Sequence, residues 1–335
     1  MKKLLAFIIL SIAMVACYNN YITDYLYTGV YFPYQQDVRT FVVGEGMQFQ
    51  VGAALGGTRK NTVDRDVSFK LDNTLLTAAR LASMQTASGA YIKNPTLPVA
   101  ALLPLPANYY TISDPGTMVI KATQHEGAVT IKPDSTLFLN DSLKTMYATY
   151  AMPFYITAAD VDSIIEPKRS NVVGVRFDNM LFGMYWHTGA AVLSKKNLPA
   201  VDSITVVYRY SVNDGATKIW TLTTFGPSTL YANGYFNQTT AKNEMKLVLK
   251  GTTVFVSAGA AYTGQPATAP TNTVLSSGTS TFNRPLLLQN RKIFLKYKYV
   301  SNLVTYSCTD TLIFRNRIRD GVNEWQDENP AHYLK

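Results

Sequence analysis

The sequence is poor in cysteine, histidine and charge. Two Cys, at positions 17 and 308, and three well-separated His occur among its 335 residues. These counts exclude a disulfide scaffold and every zinc site built on three or four thiolates, and they argue against a histidine-based metal site. With 47% hydrophobic and 16% charged residues, the chain is too apolar for disorder and long enough for about two domains. We expect a globular protein without metal or cofactor.

The motifs of common enzymes are also missing. The sequence has no alternating strand–helix units and no glycine-rich phosphate loop, which excludes a nucleotide-binding, doubly wound sheet. It contains no Gly-x-Ser-x-Gly elbow, His-Glu-x-x-His motif or EF-hand loop, and His125-Glu126 lacks the second His. Composition and motifs alone therefore do not reveal an activity.

Residues 1–16 are typical of a bacterial lipoprotein signal peptide. Lys2 and Lys3 precede a short apolar run, and Met14-Val15-Ala16-Cys17 resembles a lipobox, which predicts that Cys17 is the acylated first residue of the mature protein. The apolar run is too short to span a bilayer core of about 30 Å. Tyr18 stands where an inner-membrane retention signal has Asp, so we expect a lipid anchor in the outer membrane. Whether the protein faces the cell surface or the periplasm is left open.

Lipidation of Cys17 leaves Cys308 without a partner. Val304, Tyr306 and Cys308 share one face of an alternating stretch. This pattern predicts a buried free thiol rather than a nucleophile, which would need partial exposure and a nearby base.

Alternation with period two dominates the first half of the mature chain and predicts β-strands. The predicted strands are 29–32, 40–43, 47–54, 67–71, 110–113, 117–120, 128–131, 149–157 and 171–176. One stretch predicts a clear helix, which Asn73 caps and in which the apolar residues from Leu75 to Ala82 share one side. Short helical turns are expected at 136–143 and 159–165.

A domain boundary is predicted near residues 177–182. Residues 18–175 carry 12 Lys and Arg against 13 Asp and Glu, whereas residues 176–335 carry 17 against 9. All three Trp also lie in the second part, which supports two separately built units, 17–178 and 179–335.

The second unit is predicted to be a run of antiparallel strands, forming an up-and-down, lipocalin-like barrel or a sandwich. Asn213-Asp214-Gly215 is a strong hairpin signal between two of them, and residues 258–280 predict a long loop. The predicted strands are 184–193, 203–212, 218–224, 229–236, 245–249, 253–257, 281–288, 292–300 and 305–314.

Short segments along both units carry a resemblance to a known group of proteins. They are Tyr31-Phe32, Arg39-Thr40, Gln50-Val51-Gly52-Ala53 with Gly56 and Arg59, Val67 to Asp72, Asn108 to Ser113, Thr117 to Ile120, Tyr150 to Thr157, Leu181 to His187 and Phe314 to Trp325. The first unit resembles the N-terminal domain of many Bacteroidetes surface lipoproteins and some of their endoglycosidases. The second unit resembles the domain that often follows it.

Both are domains of unknown function, so the resemblance implies an architecture and a setting rather than an activity. It implies an immunoglobulin-like β-sandwich followed by a second β domain. The genes usually lie among those for glycan capture and breakdown.

Catalysis is not expected. The related endoglycosidases carry a separate catalytic barrel with an Asp-x-x-Asp-x-Asp-x-Glu signature, whose final Glu is the general acid. Residues 160–166 match this signature only in part. Ile164 occupies the position of the general acid, Thr157 replaces the upstream Asp, and Glu166 lies two residues beyond the acid position. The acidic residues Asp320, Glu324, Asp327 and Glu328 lie beside three Arg, which predicts a salt-bridged terminal segment.

The predicted ligand is a polysaccharide or oligosaccharide. Lys292, Lys296 and Lys298 share a strand face that is expected to be exposed, and this positive charge suggests an anionic glycan. Nucleic acid is not expected for an exported lipoprotein, although it would use similar charge.

Aromatic residues are the predicted sugar platforms. Sugars pack their CH faces on exposed rings, and the segment around Trp220, Tyr231 and Tyr235 combines rings with Asn and Gln. These three residues are the predicted carbohydrate-binding site, with the 258–280 loop as a neighbour. The alternative is that each ring simply belongs to the core.

Three functions stay open at this stage. The first is a non-catalytic glycan-binding lipoprotein that works with an outer-membrane transporter. The second is an adhesion or assembly lipoprotein that binds protein, and the third is a glycoside hydrolase. Neighbouring transporter and glycosidase genes would favour the first, fimbrial or adhesin genes the second, and glycan cleavage by the purified chain the third.

Overall fold

The computed structural model describes residues 27–195, 204–211, 213–215, 217–240, 244–259, 273–276, 278–284, 287–301 and 304–326. Cys17 with the predicted signal peptide, most of the 258–280 loop, Asp327 and Glu328 lie outside these residues. Among the described helices, none is both long and apolar enough to cross a membrane.

The first domain is a sandwich of two β-sheets, as the resemblance implied. One sheet has the strand order β10-β1-β3-β8-β6, and the other β2-β11-β9-β4-β7, with β5 paired to β9. The strands are β1 (Gly29–Tyr31), β2 (Gln36–Val43), β3 (Phe49–Gly56), β4 (Arg65–Leu71), β5 (Leu103–Pro104), β6 (Tyr110–Ile112), β7 (Thr117–Ile120), β8 (Glu126–Pro133), β9 (Tyr150–Ala159), β10 (Ser163–Ile164) and β11 (Ser170–Asn179).

Large apolar side chains from both sheets fill the sandwich. Phe41, Phe154 and Phe177 are buried there together with Val129 and Ile131. Alternate residues of each strand supply these side chains because successive side chains of a strand point to opposite faces. This arrangement confirms the predicted sandwich.

The first domain also contains four short helices. They are α1 (Ala78–Gln85), α2 (Ala90–Thr96), α3 (Ser135–Asn140) and α4 (Ser142–Thr145). The Thr77 hydroxyl caps α1 by accepting from the Arg80 amide at 3.1 Å, so the predicted helix begins later than Asn73, which opens a 3-10 turn instead. Leu81, Met84 and Ile92 pack on Val38 and Val172 in a second core.

The helical turn predicted at 159–165 is wrong. β9 extends to Ala159, and β10 pairs in parallel with β1. Backbone pairing with a strand more than 130 residues away in the sequence overrides the weak local preference for a helix.

The second domain is a closed barrel. Its strands are β12 (Gly183–Lys195), β13 (Ile204–Tyr208), β14 (Ile219–Gly226), β15 (Thr229–Ala232), β16 (Gly234–Tyr235), β17 (Gln238–Thr239), β18 (Met245–Lys250), β19 (Thr253–Ala258), β20 (Thr273–Ser276), β21 (Ser280–Phe282), β22 (Lys292–Ser301), β23 (Val304–Arg319) and β24 (Val322–Glu324). The order runs from β12 through β14, β15, β18, β19, β20 and β22 to β23, which pairs back with β12. The structure therefore selects the barrel over the sandwich.

The hairpin predicted from Asn213-Asp214-Gly215 is wrong. β13 and β14 both pair with β12, β13 with its second half and β14 with its first. The two strands therefore lie in line rather than side by side. The turn is local, with the Thr217 amide donating to the Asp214 carbonyl at 3.0 Å.

Alternation places the barrel core as the sequence predicted. Ile293, Leu295, Tyr297 and Tyr299 of β22 are buried, whereas the lysines between them are exposed. Cys308 lies in the same core as a buried free thiol, and burial raises its pKa to about 12. The predicted burial of a free thiol at this position is confirmed.

Buried ion pairs join the two domains. Glu45, in the turn between β2 and β3, accepts from Arg317 at 2.9 and 2.7 Å and lies 2.6 Å from Arg291. Arg317 also pairs with Glu324 at 2.5 Å, which confirms a salt-bridged terminal segment within the described residues. Both Arg side chains are fully buried, and buried charges of this kind are stable only when paired.

Candidate functional site

The three aromatic residues predicted to bind sugar do not converge on one surface. Trp220 is 0% exposed and lies in the barrel core. Tyr231 is buried as well, but its strand neighbours Leu230 and Ala232 face the core, so Tyr231 lies on the outer wall beneath Phe225. Tyr235 is half-buried and stacks on Tyr299 with ring centroids 3.9 Å apart. Only Tyr235 keeps a partly open ring, and its role in binding stays a prediction.

Trp220 belongs to a polar cluster inside the barrel. His187 stacks between Trp220 and Tyr208, with centroid distances of 4.3 and 4.8 Å. Its Nε2 lies 3.0 Å from Asp310 Oδ2. Asp310 also accepts hydrogen bonds from the Tyr208 and Tyr297 hydroxyls.

The cluster contains groups that act in catalysis elsewhere, but all of its side chains are buried. A general acid or base must reach the proton that it transfers, and in the part of the chain that the structure describes these groups are closed to solvent. The hydrogen bonds from Tyr208 and Tyr297 pair the buried Asp310 carboxylate. Without partners, burial of this carboxylate would cost free energy. We therefore assign this cluster to the stability of the barrel.

An open cleft lies in the first domain, between the two sheets of the sandwich. Its volume is about 280 Å³, and its walls come from the β1–β2 connection, β2 and β11 on one side and β3 and β8 on the other. β1 pairs with β3 only from Ala54 onward, so the earlier part of β3 is not covered by β1. After β1 the chain crosses to the other sheet, and this crossing leaves the cleft open. We call it the N-terminal cleft.

Polar residues occupy positions where the strand pattern would place core residues. Asp37 and Arg39 share a face of β2 with the core residue Phe41, and Asn171 shares a face of β11 with Val173. All three polar residues line the cleft, and Asp37 and Asn171 are buried. The apolar core of the sandwich therefore ends at these three polar residues, which line the cleft.

Asp37 is held by several groups. Its Oδ1 accepts from the Val38 amide at 2.9 Å, and its Oδ2 lies 2.8 Å from Arg39 Nε. Burial raises the pKa of Asp37, and Arg39, the Val38 amide and a hydrogen bond to Tyr91 oppose that rise. Desolvation and the contact with Asp37 raise the pKa of Tyr91 to about 12.

Asn171 differs from Asp37 because its oxygen has no partner. The residue is 6% exposed, and Oδ1 makes no hydrogen bond with any described residue. A buried acceptor without a donor costs free energy, and native structures contain few such groups. The oxygen is itself closed to solvent, so it can accept a hydrogen bond from a ligand only if the Asn171 side chain turns toward the cleft.

Tyr34 supplies an open aromatic ring at the same place. It lines the cleft and is 56% exposed. The exposed side chains of Gln50 and Glu126 also line the cleft and form its rim. A ring beside several hydrogen-bonding groups is a combination that binds an amphipathic, hydroxyl-rich solute.

The barrel domain contacts the wall of the cleft. Asp320 and Gly321 form the turn between β23 and β24, and the Thr40 amide of β2 donates to Asp320 Oδ2 at 3.3 Å. β2 is an edge strand, so this contact pairs one of its free N–H groups. Tyr91, the partner of Asp37, lies against Gly321.

Comparison with known proteins agrees with this architecture. A family model described only as an N-terminal domain matches residues 21–163. This stretch is similar to that domain family. The predicted resemblance of the first domain is therefore confirmed, and the matched residues include most of the cleft. No curated protein shows significant similarity to the chain.

A solved structure shows the same fold over most of the chain. A structural-genomics protein of unknown function from Bacteroides ovatus is 18% identical, with a TM-score of 0.60, over 91% of this chain and 99% of that one. At this identity the likeness concerns the fold alone. A multidomain protein including DUF1735 from the same organism is 13% identical over 89% of this chain and 100% of that one, and its TM-score of 0.42 carries no argument.

Sequence reasoning missed Asp37, Arg39 and Asn171. The available signal was their alternation with apolar residues, since Asp37, Arg39 and Phe41 follow one another at every second position. Asp310 gives the same signal in β23, because it continues the face of Tyr306 and Cys308. Polar residues on an otherwise apolar strand face mark either a satisfied internal cluster, as at Asp310, or an open site.

Proposed function

We propose that the chain is a non-catalytic cell-envelope lipoprotein that binds glycan at the N-terminal cleft, as part of a polysaccharide-utilisation system. Lipid on Cys17 anchors it in the outer membrane, and an outer-membrane transporter is the expected protein partner. One observation carries the proposal: the cleft combines the exposed Tyr34 ring with the buried Asn171, whose side-chain oxygen has no partner among the described residues.

The chemistry of the cleft supports a sugar as ligand. A pyranose ring has an apolar CH face, which packs on an aromatic ring, and hydroxyl groups, which donate to carbonyl and carboxylate oxygens. Tyr34 provides the ring, and Asn171, Gln50 and Glu126 provide oxygen atoms. The volume of about 280 Å³ lies at the small end of ligand pockets, which suits one sugar unit of a longer chain.

The carboxylates of the cleft are better placed for holding a ligand than for cleaving it. Glycoside hydrolysis uses two carboxyl groups, one as an acid and one as a nucleophile or base. Asp37 is engaged by Arg39 and by the Val38 amide, and Glu126 is exposed to solvent at the rim. The proposal therefore gives Asp37 the role of positioning Arg39.

A binding measurement with single-residue variants tests the proposal. The mature chain is screened on a glycan array, and calorimetry then measures its affinity for the best oligosaccharide. Tyr34→Ala should weaken binding by about tenfold, since removing an interface aromatic costs about 1–2 kcal/mol. Its melting temperature should not change, because the ring is mostly exposed.

Two variants complete the test. Tyr27 is 61% exposed and does not line the cleft, so Tyr27→Ala is a matched control that should bind as the wild type does. Tyr235→Ala tests the site predicted from the sequence. If Tyr34→Ala keeps full affinity for the oligosaccharide and Tyr235→Ala loses it, the binding site lies on the barrel instead of in the cleft.

A further inference from the structure

We infer that the N-terminal cleft selects a neutral or amino-bearing sugar unit and rejects uronic and sulfated sugars. This inference rests on the proposed function and deepens it. It reverses the preference for anionic glycans that the basic second half of the chain suggests.

The charge of the cleft is the first reason. Two carboxylates, Asp37 and Glu126, line it, and Arg39 is the one cationic side chain among its lining residues. The guanidinium is already committed, because its Nε lies 2.8 Å from Asp37. It also lies close enough to Asp320 to lower the pKa of that carboxyl group. An acidic sugar would therefore meet two carboxylates and one guanidinium, which is already paired with one of them.

The unpaired acceptor of Asn171 is the second reason. Asn171 Oδ1 is buried without a donor, and the Glu126 carboxylate offers only acceptors. A carboxylate or sulfate group also brings only acceptors, so it would leave Asn171 Oδ1 unpaired. Hydroxyl, amide and ammonium groups bring donors, and each of them can pair with this atom once the Asn171 side chain turns toward the cleft.

The positive charge of the barrel does not alter this selection. Lys292, Lys296 and Lys298 are exposed on the outer face of β22, in the other domain. Exposed charges separated by more than about 10 Å are largely screened at moderate salt. Groups inside the cleft therefore decide which sugar fits.

The test uses an array that carries neutral, N-acetylated, free-amino, uronate and sulfated oligosaccharides of similar length. We expect the mature chain to bind neutral or amino-bearing members at least about tenfold more tightly than acidic ones, because like charges brought together are strongly unfavourable. Glu126→Gln removes one rim charge and should narrow this difference without lowering the melting temperature.

A matched pair of asparagines separates binding from stability. Asn171→Leu replaces an unpaired buried amide with an apolar side chain of similar size, so it should reduce affinity by about tenfold or more and leave the melting temperature equal or higher. Asn61 is equally buried, but its amide donates to two carbonyls at 3.0 and 3.1 Å. Asn61→Leu should therefore lower the melting temperature and keep the affinity of the folded protein.

The possible failures are distinguishable. A preference of the wild type for uronate or sulfated glycans overturns this inference and leaves glycan binding standing. Neutral binding that Asn171→Leu does not change places the ligand elsewhere and overturns the inference as well. A folded protein that binds no glycan on the array overturns the proposed function and, with it, the inference.

Discussion

Asp320 offers a sharp test of the contact between the domains. Its Oδ2 accepts from the Thr40 amide at 3.3 Å, while Oδ1 is buried without a partner among the described residues. Desolvation raises the pKa of Asp320 from 3.8 to about 6, against the opposing effects of Thr40, Arg39 and Arg319. The charged form is therefore less favourable in the folded protein than in the unfolded chain.

The sign and size of the effect follow from linkage. Because the folded pKa is above the unfolded one, the contribution of Asp320 to stability is complete below about pH 4 and is lost as the pH rises through about 6. A shift of about two pKa units corresponds to about 3 kcal/mol. Part of the residue is exposed to solvent, which screens the effect, so we expect about 1–3 kcal/mol. Asp320→Asn keeps the acceptor for Thr40 and removes the charge. Asn also tolerates the φ of +51° at this position.

The assay is urea unfolding of the mature chain at several pH values between 4.5 and 7.5, followed by Trp fluorescence. Asp320→Asn should be more stable than the wild type by about 1–3 kcal/mol at the highest pH, with the difference shrinking at the lowest. Asp114→Asn is the control, and its pKa shift has the opposite sign, because the Gly116 and Thr117 amides lower the pKa of the exposed Asp114. This variant should therefore be less stable than the wild type. A difference for Asp320→Asn that is independent of pH would refute the reasoning.

Three further predictions concern the anchor, the boundary and the ion pairs. Radiolabelled palmitate should enter the wild type but not Cys17→Ala, and label retained in the variant would exclude acylation at this residue. Fragments covering 18–178 and 179–335 should each unfold cooperatively, whereas two unfolded fragments would show that the domains are not independent. Glu45→Gln should destabilise the full chain by about 3–5 kcal/mol, because it leaves buried arginines uncompensated. Chemical denaturation at neutral pH measures this loss, and an unchanged midpoint would contradict the role given to the ion pairs.

Strand positions were predictable because burial repeats with period two. In β22 the apolar residues alternate with lysines, so both the strand and its buried face follow from the sequence. The partners of a strand do not follow from local pattern. The turn at Asn213-Asp214-Gly215 was visible, yet nothing local shows that β12 is long enough to pair with both β13 and β14.

The candidate site was harder to predict for a related reason. Aromatic residues serve both cores and binding surfaces, and Trp220 is a core residue although its neighbours resemble a sugar site. The polar residues Asp37 and Asn171 were informative only after the buried face of β2 and β11 was known. That face depends on packing between sheets, which a single strand does not encode.

Closure of the barrel also governs the order in which the chain folds. The first and last long strands, β12 and β23, pair with each other although residues such as Tyr185 and Phe314 are about 130 positions apart in the chain. Closing such a loop costs conformational entropy, and the contacts between β12 and β23 offset this cost only after the two strands have met. The barrel therefore stays open until β23 has been synthesised, and then its closure brings Arg317 to Glu45 in the domain that emerged first. Folding of the second domain and docking on the first are expected to be one late, slow step.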